Sequence, residues 1–151
     1  MAGSRFKDFL TLAIEKEIEA ATLYEKYARI AAPPSSKKLL ADMALMERGH
    51  EKKLKDFLKT GTAYFSKIGV IDDLHISDFM TQPVLKEDSP LADVFVFAMK
   101  EEQRAYDLYS RLGALEQEGA VKQLFMALAD EEKKHKHDLE VEYEKEFMQE
   151  N

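Results

Sequence analysis

Two short segments of the chain carry a glutamate followed three residues later by a histidine. The first is Glu47 with His50 in "ALMERGHEKKL", and the second is Glu132 with His135 in "ADEEKKHKHDLE". On an α-helix such residues lie about 60° apart around the axis and about 4.5 Å apart along it, so both side chains can reach one ion. One such pair carries little information, because many surface helices contain one.

The two pairs belong to an internal repeat with an offset of 85 residues. Glu17 lies 30 residues before Glu47, and its counterpart Glu102 lies 30 residues before Glu132. Repeated apolar residues are expected in any repeated core, whereas repeated glutamates and histidines on the same helix face are not. The repeat therefore selects six candidate metal ligands: Glu17, Glu47, His50, Glu102, Glu132 and His135.

The charged neighbours of these six residues have no counterparts of the same type. Glu131 corresponds to Met46, and His137 corresponds to Lys52. His137 also lies about 200° around the helix from His135, so we interpret it as solvated. Replacement of Glu131 by alanine is not expected to change metal binding.

Four predicted helices position the candidate ligands within one predicted domain, residues 1–151. Pro33 and Pro34 end the first helix, and Ser35 or Ser36 is the expected N-cap of the second. Apolar residues at helical spacing and the helix-ending residues predict the following spans: 5–31, 36–59, 90–112 and 118–147.

Residues 60–89 form a long connection between the second and third helices and have no sustained apolar period. Antiparallel neighbours need only about 2–8 connecting residues, so this length predicts a crossover between two parallel helices. Each hairpin then holds its two glutamates at the same height. The sequence predicts an all-α four-helix bundle, built from two repeated hairpins, with the six residues in one layer. His75 in the crossover has no counterpart and is expected to be structural or exposed.

Four buried carboxylates in one layer would repel one another and would have to bind cations or protons. Oxygen-rich sites with one imidazole per ion suit iron or manganese better than zinc. Tyr24 and Tyr109 lie seven residues after Glu17 and Glu102 on the same faces. Their hydroxyls could donate hydrogen bonds to ligand carboxylates across the bundle; alternatively, they are core tyrosines with hydroxyls near the rim.

Composition limits the other classes of function. The 151 residues carry a net charge of −7 and contain no cysteine, which disfavours nucleic acid as a partner and excludes thiolate metal sites within these residues. No apolar run reaches the length of a membrane span, and no signal peptide is recognisable. We therefore expect a cytoplasmic protein with no membrane partner.

The motifs resemble the rubrerythrin branch of the ferritin-like superfamily. In both hairpins a glutamate is followed by alanine at +3 and tyrosine at +7, and then by Glu-x-x-His 30 residues later. The resemblance spans about residues 5–147. It implies a ferritin-like bundle that binds two iron ions per chain, or manganese, through the six candidate ligands. It also implies a homodimer that reduces hydrogen peroxide, or oxidises ferrous iron with peroxide or dioxygen, with electrons from a separate donor protein.

Two features depart from that family pattern. Full-length rubrerythrins contain a cysteine-ligated rubredoxin domain, and these residues include no cysteine. Rubrerythrins also place a seventh carboxylate three residues before the third-helix ligand, where this chain has Met99, so efficient peroxidase action is an open question. The alternatives are a non-catalytic protein for iron binding, storage or sensing, and a metal-free helical interaction module.

Overall fold

Four long helices make up most of the described chain. The computed structural model describes residues 2–60, 85–114 and 119–148, and the crossover predicted at 60–89, including His75, lies largely outside them. The prediction of an all-α four-helix bundle is confirmed, and the described ranges contain no strand. The helices have these bounds: α1 Ala2–Ile30, α2 Pro34–Thr60, α3 Leu91–Ala114 and α4 Ala120–Phe147.

Two separate apolar cores fix the directions of the helices. One core joins Phe9 near the start of α1 to Leu54 near the end of α2, Leu112 near the end of α3 and Phe125 near the start of α4. The other core contains residues from the opposite end of each helix, such as Tyr27 of α1. Consequently α1 and α4 run in one direction, and α2 and α3 run together in the other. A crossover between parallel helices two and three requires this arrangement.

The helices pack much more closely within each hairpin than between the two hairpins. α1 packs mainly on α2 and α3 mainly on α4, whereas contacts between the two hairpins are fewer. The two hairpins enclose a polar layer between the two apolar cores, at mid-height in the bundle. Within the described part of the chain, no helix is both long enough and apolar enough to cross a membrane.

The start of α2 differs from the sequence-based expectation. The helix begins at Pro34, so Ser35 and Ser36 lie within its first turn instead of capping it. Their hydroxyls donate hydrogen bonds of 2.7 and 2.6 Å to the buried carboxylate of Glu142 on α4. The serines therefore join α2 to the other hairpin, a tertiary role that local capping rules do not reveal.

Candidate metal centre

All six predicted ligands lie in the polar layer between the two cores. Their exposed fractions are 5% or less. Each of the four helices contributes one glutamate, and α2 and α4 each add the histidine one turn further on. Because all six side chains point from the four helices towards the bundle axis, the ligand atoms converge without any loop residue.

The six residues form two overlapping groups, each of which could hold a metal ion. One group contains Glu17 and His50, the other contains Glu102 and His135, and both groups share Glu47 and Glu132. Within each group, one ligand atom from every residue lies within 4.8 Å of the others. The two imidazole rings face each other with their centroids 6.0 Å apart.

Contacts in the layer cross between the hairpins. His50 Nδ1 lies 2.8 Å from Glu132 Oε1, and His135 Nδ1 lies 2.8 Å from Glu47 Oε1. Glu17 Oε2 and Glu102 Oε2 lie 3.5 and 3.7 Å from the nearer histidine. Glu47 and Glu132 therefore each contact the histidine of the opposite hairpin, which is why they belong to both groups.

The buried polar atoms of the six residues are suited to binding a metal. Among the described side chains, each of the six has one buried nitrogen or oxygen atom without a hydrogen bond of normal geometry, including the histidine nitrogens and glutamate oxygens that lie 2.8 Å apart. An unsatisfied buried polar atom is costly unless something else binds it. Six such atoms converging on one layer, four from carboxylates and two from imidazoles, form a donor set suited to two iron or manganese ions.

Electrostatics in the metal-free layer favour bound protons. Burial, followed by the neighbouring charge of Glu47, raises the pKa of Glu17 to about 8. Burial and the charges of Glu102 and Glu17 also raise the pKa of Glu132 well above its usual value. Burial alone would lower the pKa of His50, but the carboxylates of Glu17 and Glu47 raise it to about 11. Protons therefore balance the carboxylates when no metal does.

The two tyrosines hold the outer glutamates from the opposite hairpin. Tyr24 donates a hydrogen bond of 2.7 Å to Glu102, and Tyr109 donates one of 2.5 Å to Glu17. Burial, together with the carboxylate that each hydroxyl faces, raises both phenol pKa values well above 10. Of the two arrangements considered from sequence, the structure shows hydroxyls that contact the glutamates across the bundle.

A family model described as rubrerythrin matches residues 8–143. The chain belongs to the rubrerythrin family. The resemblance seen in the sequence motifs is thus confirmed, and with the buried cluster it suggests a di-iron carboxylate protein.

One solved structure extends the rubrerythrin comparison. A hypothetical protein from Pyrococcus furiosus is similar to this chain with 27% sequence identity and a TM-score of 0.72. The match covers 91% of this chain and 87% of that one. None of the curated proteins matches the sequence significantly.

Glu131 makes a contact that the sequence did not predict. Its carboxylate, on α4, contacts Nε2 of His50, while Nδ1 of the same ring faces the centre. A carboxylate behind a ligand histidine fixes the orientation and tautomer of the ring. Comparison of the two halves could not find this contact, because Met46 occupies the equivalent position and is 42% exposed. The signal for this contact in the sequence was the pair of consecutive glutamates before Lys133.

Met99, His137 and the repeated alanines are the other residues that the sequence analysis singled out. Met99 is half-buried against the apolar core that contains Tyr24 and Ala98, and its thioether supplies no carboxylate at the seventh-ligand position of rubrerythrins. His137 is exposed, as expected. The repeated alanines Ala20 and Ala105 line a cavity beside the carboxylates of the polar layer.

The raised pKa values predict how the metal-free protein responds to pH. Unfolded glutamate and histidine release their protons near pH 4.5 and 6.5, whereas in the folded chain Glu17 and His50 retain theirs to about pH 8 and 11. Between pH 6.5 and 8 the folded chain binds more protons than the unfolded chain, so its stability falls as pH rises. We predict a lower melting temperature at pH 8 than at pH 6.5, measured by circular dichroism with a chelator present.

Two variants test the source of this pH effect. Glu17→Gln should reduce the pH dependence, whereas Glu15→Gln, at an exposed position on the same helix, should leave it as in the wild type. A metal-free melting temperature that rises between pH 6.5 and 8 would contradict the assignment of protons to the layer.

The contact between Glu131 and His50 predicts that the two metal positions differ in affinity. Glu131→Ala removes the carboxylate behind one histidine only, so we expect one of the two ions to bind about 10–100-fold more weakly. Anaerobic titration with ferrous or cobaltous ion measures both binding steps. Met46→Ala, the matched substitution in the other half of the repeat, should change neither step; equal weakening by both variants would contradict a specific role for Glu131.

Proposed function

We propose that this rubrerythrin-family chain is a di-iron oxidoreductase that reduces hydrogen peroxide, or oxidises ferrous iron with peroxide or dioxygen. The observation that carries the proposal is the convergence of six buried ligand atoms that lack hydrogen bonds of normal geometry. In this assignment Glu17 and His50 would hold one ion, and Glu102 and His135 would hold the other. Glu47 and Glu132 belong to both groups and would serve both ions. Manganese suits the same donor set.

The chain itself would orient and insulate the centre. Tyr24 and Tyr109 donate to one oxygen of Glu102 and Glu17 and leave the other oxygen free to bind a cation. Because their pKa values are raised, both hydroxyls remain protonated and act as hydrogen-bond donors at neutral pH. The apolar cores above and below the layer exclude water from the ends of the bundle.

The reaction needs two electrons and two protons for each peroxide. Two bound ferrous ions would supply the two electrons that cleave the O–O bond, and two waters are the products. A donor outside these residues would then return two electrons, since the residues contain no cysteine for a rubredoxin iron. Metal binding displaces protons from the layer, so the centre should load more readily as pH rises.

Stopped-flow mixing tests the oxidant. We expect the anaerobically loaded ferrous protein to oxidise at least about tenfold faster with hydrogen peroxide than with dioxygen, a barrier difference of about 1.4 kcal/mol. The expected result includes repeated turnover with an added reductant. Absorbance of the ferric product measures both rates.

A matched pair of variants provides the control. Glu132→Ala removes one shared ligand and should abolish turnover, whereas Asp130→Ala, at an exposed position on the same helix, should retain it. A single slow oxidation that leaves ferric iron bound, with no turnover, would reject the enzyme and favour iron storage or sensing.

A further inference from the structure

A cavity of about 240 Å³ opens between α1 and α3, two helices that belong to different hairpins and make few contacts with each other. It forms because Ala13, Ala20 and Ala105 have small side chains; larger ones at these positions would close the gap. At its inner end the cavity reaches the carboxylates of Glu17 and Glu102. It therefore connects the candidate metal centre to the surface.

The cavity is larger than hydrogen peroxide requires. One water takes up about 30 Å³ in the liquid, and an apolar cavity of about 150 Å³ is enough to bind benzene. The space beside the carboxylates could thus hold a small organic group as well as a peroxide. Its walls suit such a group, because they include Leu23, Phe97 and Leu108 in addition to the alanines.

The mouth of the cavity carries charges that are paired along each helix. Lys16 lies 3.6 Å from Glu19 on α1, and Arg104 lies 2.9 Å from Glu101 on α3. All four residues line the cavity. Each positive charge thus has a negative one beside it, so the mouth has no net charge that would favour an anionic or a cationic substrate.

We infer that the cavity admits small neutral organic hydroperoxides, with the peroxide group at the carboxylates and the apolar group between Ala20 and Ala105. This inference rests on the proposed function and adds a class of substrate to it. One hydroperoxide, two electrons and two protons give one alcohol and one water, and the O–O bond is the bond that breaks. Two ferrous ions would supply the electrons and become ferric, and a donor protein would reduce them again.

Cumene hydroperoxide is a suitable probe, because its phenyl ring matches the apolar walls. The iron-loaded wild type should reduce both cumene hydroperoxide and hydrogen peroxide. Ala105→Leu and Ala20→Leu fill the cavity and should lower the ratio of kcat/KM for cumene hydroperoxide to that for hydrogen peroxide by roughly tenfold or more. Ala127→Leu, at an exposed position on α4, should leave both values unchanged.

Binding of the product supplies a readout that does not depend on turnover. Saturation-transfer NMR should detect 2-phenyl-2-propanol on the metal-free and iron-loaded wild type, and Ala105→Leu should weaken the signal. A protein that reduces hydrogen peroxide but neither reduces cumene hydroperoxide nor binds the alcohol would overturn the inference and leave the proposed function intact. Reduction of neither peroxide would overturn the peroxide-reducing form of the proposed function, and the inference with it.

Discussion

The burial of four carboxylates in one layer is the constraint on which the rest of this structure depends. Glu17, Glu47, Glu102 and Glu132 are all at most 2% exposed, and four negative charges this close cannot persist in a low-dielectric interior. Protons or metal ions have to accompany them. In the metal-free chain the pKa values of Glu17 and of the two histidines are raised, so these side chains hold the protons that balance the charge.

The same constraint explains the architecture around the layer. Two apolar cores, one on each side, supply the burial that offsets the cost of a polar interior. The hydroxyls of Tyr24 and Tyr109 satisfy one oxygen of each outer glutamate and connect the hairpins at the level of the centre. Ser35 and Ser36 connect them again through Glu142 at one end.

The sequence predicted the parts of the structure that both halves of the chain repeat. Glu and His at matched positions on one face identified the layer, and the length of the crossover predicted parallel α2 and α3. Features present in only one half were missed for the same reason. Glu131 contacts His50 across the hairpins, but its counterpart is Met46, so comparison of the halves treated it as an unimportant surface charge. Such a contact depends on the packing of α2 against α4, which a spacing pattern does not contain.

The cavity was also only partly foreseeable. Ala20 and Ala105 stood out as repeated small residues, but close helix packing and access to the metal both explain a repeated alanine. The structure distinguishes between these explanations, because both alanines border open space beside Glu17 and Glu102. The two helices on either side of that space, α1 and α3, contact each other far less than either contacts its hairpin partner.

Anomalous X-ray scattering at the iron edge tests the central claim most directly. A crystal of anaerobically reconstituted protein should show two anomalous peaks per chain. One should lie between Glu17 and His50, the other between Glu102 and His135, and Glu47 and Glu132 should contact both. A single peak, no peak, or peaks away from these six residues would contradict the assignment of the layer as a two-metal centre.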